Sequence, residues 1–192
     1  MTVLETPAIP AYLAGTWKID PVHSDVSFTV RHLMVSKVRG RFGDFSGTIV
    51  LGDDPLQSRV DALVKLASID TGNEGRDAHV RSADFFDVDQ YPDLTYRSTG
   101  VRVDGEDFIV DGELSLHGVT KHVPLHVEVN GFQEATPFGD TRVGFSASAE
   151  IDRYDFDITF NSPLEGGGVG LGRKIQIALE IQAVLDTARA AA

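Results

Sequence analysis

From Gly15 onward, apolar and polar residues alternate with period two, which places successive side chains on opposite faces of an extended backbone. Val26, Phe28, Val30 and His32 share one face, while Ser27, Thr29 and Arg31 take the other. Leu33 to Val38 continues this strand or turns. Phe45, Gly47, Ile49 and Leu51 form a second set, closed by the turn residues Gly52-Asp53-Asp54-Pro55. Val60, Ala62, Val64 and Leu66 form a third. Strands over 94–103, 108–116, 123–129 and 143–151 follow, separated by Asp104-Gly105, His117-Gly118 and Gly139-Asp140. Pro124 marks an edge, a bulge or a strand start, and a further strand is expected over 153–160. In the last strand Ile175, Ile177, Leu179, Ile181, Ala183 and Leu185 alternate with Lys174, Gln176, Glu180 and Gln182. About thirteen residues at about 3.3 Å each span about 43 Å, far beyond an ordinary strand. Long antiparallel strands joined by short turns predict an up-and-down sheet closed on itself, because an open one would leave two long edges to aggregate.

One stretch breaks the alternation. Thr71 to Phe86 reads T-G-N-E-G-R-D-A-H-V-R-S-A-D-F-F, and its pattern is helical. Thr71 with Glu74 three residues later predicts a capping box, so a short helical insert is expected around residues 72–86. On helical spacing Arg76 and Val80 share a face, Asp77 and Arg81 can pair, and His79 lies three after Arg76.

At 192 residues and 42% apolar content the chain suits one domain with a substantial core. We read residues 1–14, with Pro7 and Pro10, as a surface arm, 15–187 as a single domain, and 188–192 as a frayed tail. The formal net charge of −12 argues against nucleic acid or an anionic membrane as an electrostatic partner. The absence of cysteine excludes disulfides, thiol nucleophiles and iron–sulfur clusters. No window reaches the roughly 18 apolar residues of a spanning helix, so stable membrane insertion is not expected. The first twenty residues carry no signal-peptide pattern, which makes a cytoplasmic location the expectation.

Candidate chemistry is sparse. His122 and His126 share a strand face about 13 Å apart at strand rise, too far to bind one ion, so no metal site is expected. Gly166, Gly167, Gly168, Gly170 and Gly172 lack the context of a phosphate loop and suit a turn before the last strand. His23-Ser24 are sequence neighbours that point to opposite faces when extended, which proposes no triad. Asp84, Asp87 and Asp89 suit the solvated end of the insert, and Phe85-Phe86 anchor it to a core or line a cavity. Arg76, His79 and Arg81 are the compact donor cluster; it either pairs with Asp77 and Glu74 or meets an anionic ligand group.

Several motifs then coincide. His23, Ser24, Val26 and Phe28 meet H-S-x-V-x-F, followed by Arg31-His32. Asn73, Arg76, Asp77 and His79 meet N-x-x-R-D-x-H, followed by Phe85-Phe86 and Tyr91-Pro92. Gly112, Leu114, His117, Gly118 and Thr120 meet G-x-L-x-x-H-G-x-T, and Asp152, Arg153 and Phe156 meet D-R-x-x-F. From about Trp17 to Leu185 the chain resembles the YceI family of lipid- or polyisoprenoid-binding proteins. Val80 stands where a leucine is expected, which trims the cavity, and Asp157 where a glycine is usual.

The resemblance implies an all-β, lipocalin-like antiparallel barrel of about eight long strands, with an apolar pore for an isoprenoid or similar lipid. The bound lipid is the ligand, no other cofactor is implied, and a homodimer is one assembly to test. Phe28, Val30, Leu33, Phe45, Phe85, Phe86, Leu114, Leu116, Phe145 and Phe156 are the expected pore wall. Arg31, His32, Arg76 and His79 are the expected polar end. Burying about 40 carbons at about 0.8 kcal/mol each exceeds the affinity ceiling of about 20 kcal/mol, so ordering the chain must offset part of it and tight binding needs no catalysis. Two other readings stand beside this one. A small hydrolase or isomerase acting on an isoprenoid or quinone precursor would use His79 as base with Asp77 orienting it. A purely structural barrel would be filled by its own side chains.

Overall fold

The computed structural model describes residues 6–163 and 170–187. Strands β1 (Gly15–Ile19), β2 (Asp25–His32), β3 (Ser36–Phe42), β4 (Phe45–Leu51), β5 (Arg59–Lys65) and β6 (Ile69–Asp70) precede helix α1 (Glu74–Arg81). Strands β7 (Asp93–Asp104), β8 (Asp107–Leu116), β9 (Val119–His122), β10 (Leu125–Gln133), β11 (Arg142–Asp152) and β12 (Leu171–Leu185) follow it. Every pairing is antiparallel.

The registers show that these short strands are pieces of fewer long ones. β2 pairs with β3 and β1 with β4 in nearly continuous register, Val26 opposite Phe42 and Trp17 opposite Ile49. The chain from Gly15 to Leu51 is therefore one long hairpin, interrupted near Asp20 and Gly43. β5 and β6 continue one another in the same way, as do β9 and β10, which keep one register against β8 across a break at Val123-Pro124. That break is where proline removes a ladder donor. Eight long strands result, and β12 closes the ring by pairing with β11 on one side and with both β2 and β1 on the other. Closure leaves few free strand edges, the main one being β3 beyond its short contact with β6.

Hairpin tips follow local chemistry. His117 (φ 53°) and Gly118 (φ 75°) both lie in the left-handed region, the type I′ pattern that matches the twist of the flanking strands. A Cβ at Gly118 would lie 2.8 Å from the Tyr91 ring, so this position favours glycine on both counts. The strand expected over 153–160 does not form. Arg153–Phe156 is a 3-10 turn, capped by the Asp152 carboxylate accepting from the Tyr154 N–H and ended by Asp157 in the left-handed region (φ 58°). Phe156 is a plug buried in the core off the cavity wall, whereas Ile158 is buried at the wall itself.

The helical insert is also shorter than its sequence suggests. Its cap is Asn73, whose side chain accepts from the Arg76 N–H at 2.9 Å, and not Thr71. It ends at Arg81, and Ser82 to Phe86 form turns. Tyr12 ties the arm to the barrel. The Tyr12 hydroxyl donates to the Gly52 carbonyl at 2.7 Å, and its ring meets Phe132 edge-on at 5.6 Å. Residues 1–5, the tail 188–192 and Gly166, Gly167 and Gly168 lie outside the described residues.

Candidate functional site

The inward positions of β12 are apolar yet only partly buried, because Ile175, Ile177, Leu179 and Ile181 face a hollow and not packed side chains. That hollow is a cavity of about 590 Å³ running through the barrel. One water needs about 10–15 Å³ by the same kind of measure, and small-molecule sites fall at about 300–1,000 Å³. The barrel is therefore not filled by its own side chains. Its wall is almost wholly aliphatic and aromatic, drawn from every long strand.

Nine of the ten expected wall residues line the cavity: Phe28, Val30, Leu33, Phe45, Phe85, Phe86, Leu114, Leu116 and Phe145. Phe156 does not. It sits on the 3-10 turn, 1% exposed, and packs into the core behind the wall. Val80 is on the wall, as its helical face required. Sequence reading missed Ile9 and Tyr12, which come from the arm and close the end near Leu51 and Phe132. Arm residues carry no periodicity, so nothing in the sequence marked them as inward.

At the opposite end the cavity meets polar groups. His32, Arg76 and His79 line it and Arg31 does not. Strand alternation accounts for Arg31: it follows Val30 and precedes His32, so it points outward. Arg76 donates from Nε to the Thr71 hydroxyl and from an Nη to the Thr71 carbonyl, each at 2.7 Å. It pairs with neither Asp77 nor Glu74. Asp77, 7% exposed, accepts from the Thr71 N–H at 3.0 Å and from its hydroxyl at 2.5 Å. Arg81 does not pair with Asp77 either, and instead donates to the carbonyls of Ala67 and Ile69. The charged face of α1 thus latches the helix to the chain around β6.

His79 is the exception. Its Nε2 lies 2.7 Å from the Asp84 carboxylate, and Asp77, expected to orient it, is committed to Thr71. The His79 ring stands edge-on to Phe85 and Phe160, each 5.1 Å away, and those two rings are 5.2 Å apart. Three rings therefore ring the cavity mouth, with Phe160 37% exposed. Phe160 was placed on an expected strand that does not form, which hid its role.

Arg153 of the D-R-x-x-F motif stands outside the expected site residues. It is 3% exposed and touches the cavity. Its guanidinium donates to the carbonyls of Ile158, Phe160, Leu171 and Gly172. Burial lowers its pKa, and no carboxylate among the described residues forms an ion pair with it. Asn161 beside it fixes the Leu171 peptide, donating to its carbonyl and accepting from its N–H. Among the described residues no cluster of three or more histidine, aspartate or glutamate side chains could hold a metal, and no helix is long and apolar enough to cross a membrane.

The outer histidines are accounted for by carboxylate neighbours: His122 lies near Asp111 and His126 near Asp104. His23 pairs with Asp20, while Ser24 exchanges hydrogen bonds with the Gln182 backbone, which holds the seam between β1, β2 and β12.

Comparison with known proteins gives a consistent set. The sequence profile of the YceI-like domain matches residues 17–183. Protein YceI of Escherichia coli is 40% identical over 149 residues, covering 76% of this chain and 78% of that one. The crystal structure of BcnA from Burkholderia cenocepacia superposes with a TM-score of 0.73 at 21% identity, over 85% of this chain and 98% of that one. A polyisoprenoid binding domain from Saccharophagus degradans, implicated in plant cell wall breakdown, superposes with a TM-score of 0.67 at 17% identity, over 91% and 100%.

Proposed function

Because the chain belongs to the YceI-like family, with the match spanning residues 17–183, we propose that it binds, stores or carries a long-chain isoprenoid, of polyprenyl or isoprenoid-quinone type, without catalysis. The observation that carries this reading is the apolar cavity of about 590 Å³ running the length of the barrel. Apolar surface leaving water contributes about 25 cal/mol per Å², and an extended hydrocarbon chain can use such a wall along its whole length. The polyisoprenoid binding of a protein with the same fold supports the ligand class. His32, Arg76 and His79, with Arg153 behind them, supply donors for the polar end of such a lipid.

Mass spectrometry of an organic extract of the purified protein tests the proposal. An isoprenoid recovered in stoichiometric amount is the expected result. No co-purifying lipid, together with no displacement of a fluorescent apolar probe by added prenyl lipids, would overturn it. The second reading, a small enzyme acting on an isoprenoid or quinone precursor, draws on the His79–Asp84 pair at the mouth. It requires turnover of the lipid that is lost in His79→Ala and kept when the wall is altered. Recovery of unchanged lipid favours the carrier.

A further inference from the structure

The hairpin joining β2 to β3 has a composition unlike the rest of the molecule. Residues 26–43 contain four of the 17 Lys and Arg, namely Arg31, Lys37, Arg39 and Arg41, and none of the 29 Asp and Glu. The remaining 13 basic residues stand against all 29 acidic ones, so the rest of the chain nets −16. Arg41 is engaged by Asp70 at 3.2 Å. Arg31, Lys37 and Arg39 have no ion-pair partner among the described residues, and all three are exposed. Arg31 lies directly opposite Lys37 in the ladder, a like-charge pair that costs stability unless something outside the chain offsets it.

The tip between these charges is apolar. Leu33, Met34 and Val35 are 41%, 54% and 83% exposed. Leu33 (φ 51°) and Met34 (φ 60°) occupy the two left-handed positions of a type I′ turn, closed by the Val35 N–H donating to the His32 carbonyl. Asparagine and glycine suit those positions; leucine and methionine neither relax the backbone nor bury themselves. The tip also belongs to the cavity mouth. Leu33 lines the cavity with Phe160, and its N–H donates to the Gly170 carbonyl, which stitches the hairpin to the segment after Phe160.

We propose that this hairpin docks the protein on an anionic membrane surface. Leu33, Met34 and Val35 enter the headgroup–acyl boundary, Arg31, Lys37 and Arg39 contact the anionic headgroups, and the cavity mouth faces the bilayer. An apolar wedge with a basic collar suits an interface of that chemistry. Each basic residue held at an anionic surface strengthens partitioning by about fivefold, so three contribute about a hundredfold. The acidic remainder makes the charge distribution bipolar. Screening over about 8–10 Å confines the attraction to the hairpin end, so the molecule approaches in one orientation. A basic edge strand has another use, keeping the free edge of β3 from pairing with a second sheet. That use explains Lys37 and Arg39, but neither Arg31 on the interior strand β2 nor the apolar tip. The inference concerns a surface and stands apart from what the cavity holds.

Flotation of the full chain tests it, with vesicles of phosphatidylcholine alone and of phosphatidylcholine mixed equally with phosphatidylglycerol. The expected result is binding to the second and not the first, weakening as sodium chloride is raised. Arg31→Gln/Lys37→Gln/Arg39→Gln should lower the partition coefficient about a hundredfold. Met34→Gly/Val35→Ser should also abolish flotation, with a melting temperature unchanged or raised because one left-handed position is relieved. Ala147→Trp, which narrows the cavity and leaves the hairpin intact, should float like the parent, so failure of the lipid-carrier reading leaves this result readable. Absence of flotation by the folded parent overturns the proposal. So does flotation untouched by both hairpin variants, a charge variant that merely aggregates while still floating, or hairpin cross-links to a protein in a chain that ignores vesicles.

Discussion

Asp20 shows how one residue of a motif-like cluster acts on the fold rather than on a ligand. Burial opposes ionisation of its carboxyl, but hydrogen bonds from His23, Arg142 and the Val22 N–H outweigh it and hold the pKa at about 2. A depressed carboxyl pKa contributes stability that is complete above about pH 4 and is lost as pH falls through about 2. Asp20→Asn should therefore cost about 1–2 kcal/mol at pH 7, after allowance for solvent screening, and almost nothing at pH 2. Denaturant melts across that pH range measure it. Asp157 offers a second check, being in the left-handed region (φ 58°) that glycine adopts without strain. Asp157→Gly should leave the melting temperature unchanged or raised, whereas Asp157→Val should cost about 1–2 kcal/mol, since a β-branched side chain resists that conformation.

At the scale of elements, α1 is held by side-chain-to-backbone latches more than by apolar packing, for Asp77 is the buried residue of its eight. Asp77→Ala should release the Thr71 N–H and hydroxyl and destabilise the chain by about 1.5–3 kcal/mol. Hydrogen exchange should accelerate in α1 before it does in β11 and β12. Exchange that rises equally in all three would show the helix is not a separate unit. The β8–β9 turn makes the matching case for strands. Gly118→Ala must accept a positive φ and displace the Tyr91 ring, at about 1–3 kcal/mol, measurable by thermal melting.

For the whole molecule, an open interior makes a prediction opposite to that for a packed core. Ala147 lines the cavity, and in a filled barrel Ala147→Trp would cost about 1–3 kcal/mol through overpacking. Here the indole has room, so the melting temperature should hold while the lipid recovered in organic extracts falls. A steep loss of stability would mean the wall is closed in solution.

Period-two alternation determined the inward and outward faces of every long strand, because one face had to leave water. It placed Phe28, Val30, Phe45, Leu114, Leu116 and Phe145 on the same interior, and it put Arg31 on the other face, against the expectation that Arg31 belongs to the polar end. The absence of crossover helices determined an antiparallel sheet, and its length required closure. What alternation cannot state is whether an interior is packed or hollow, since a wall residue and a core residue look alike in one dimension. Only the tertiary structure separated Phe156, a plug, from Phe160, a ring at the mouth. The Thr71–Phe86 insert divides the same way. Its helical period was legible, but the partners of Arg76, Asp77 and Arg81 were not, because backbone carbonyls of Ala67 and Ile69 and the Thr71 residue compete for them only once β6 lies alongside. Net charge, a sum over the whole chain, likewise hid the basic hairpin, whose effect depends on where folding puts it.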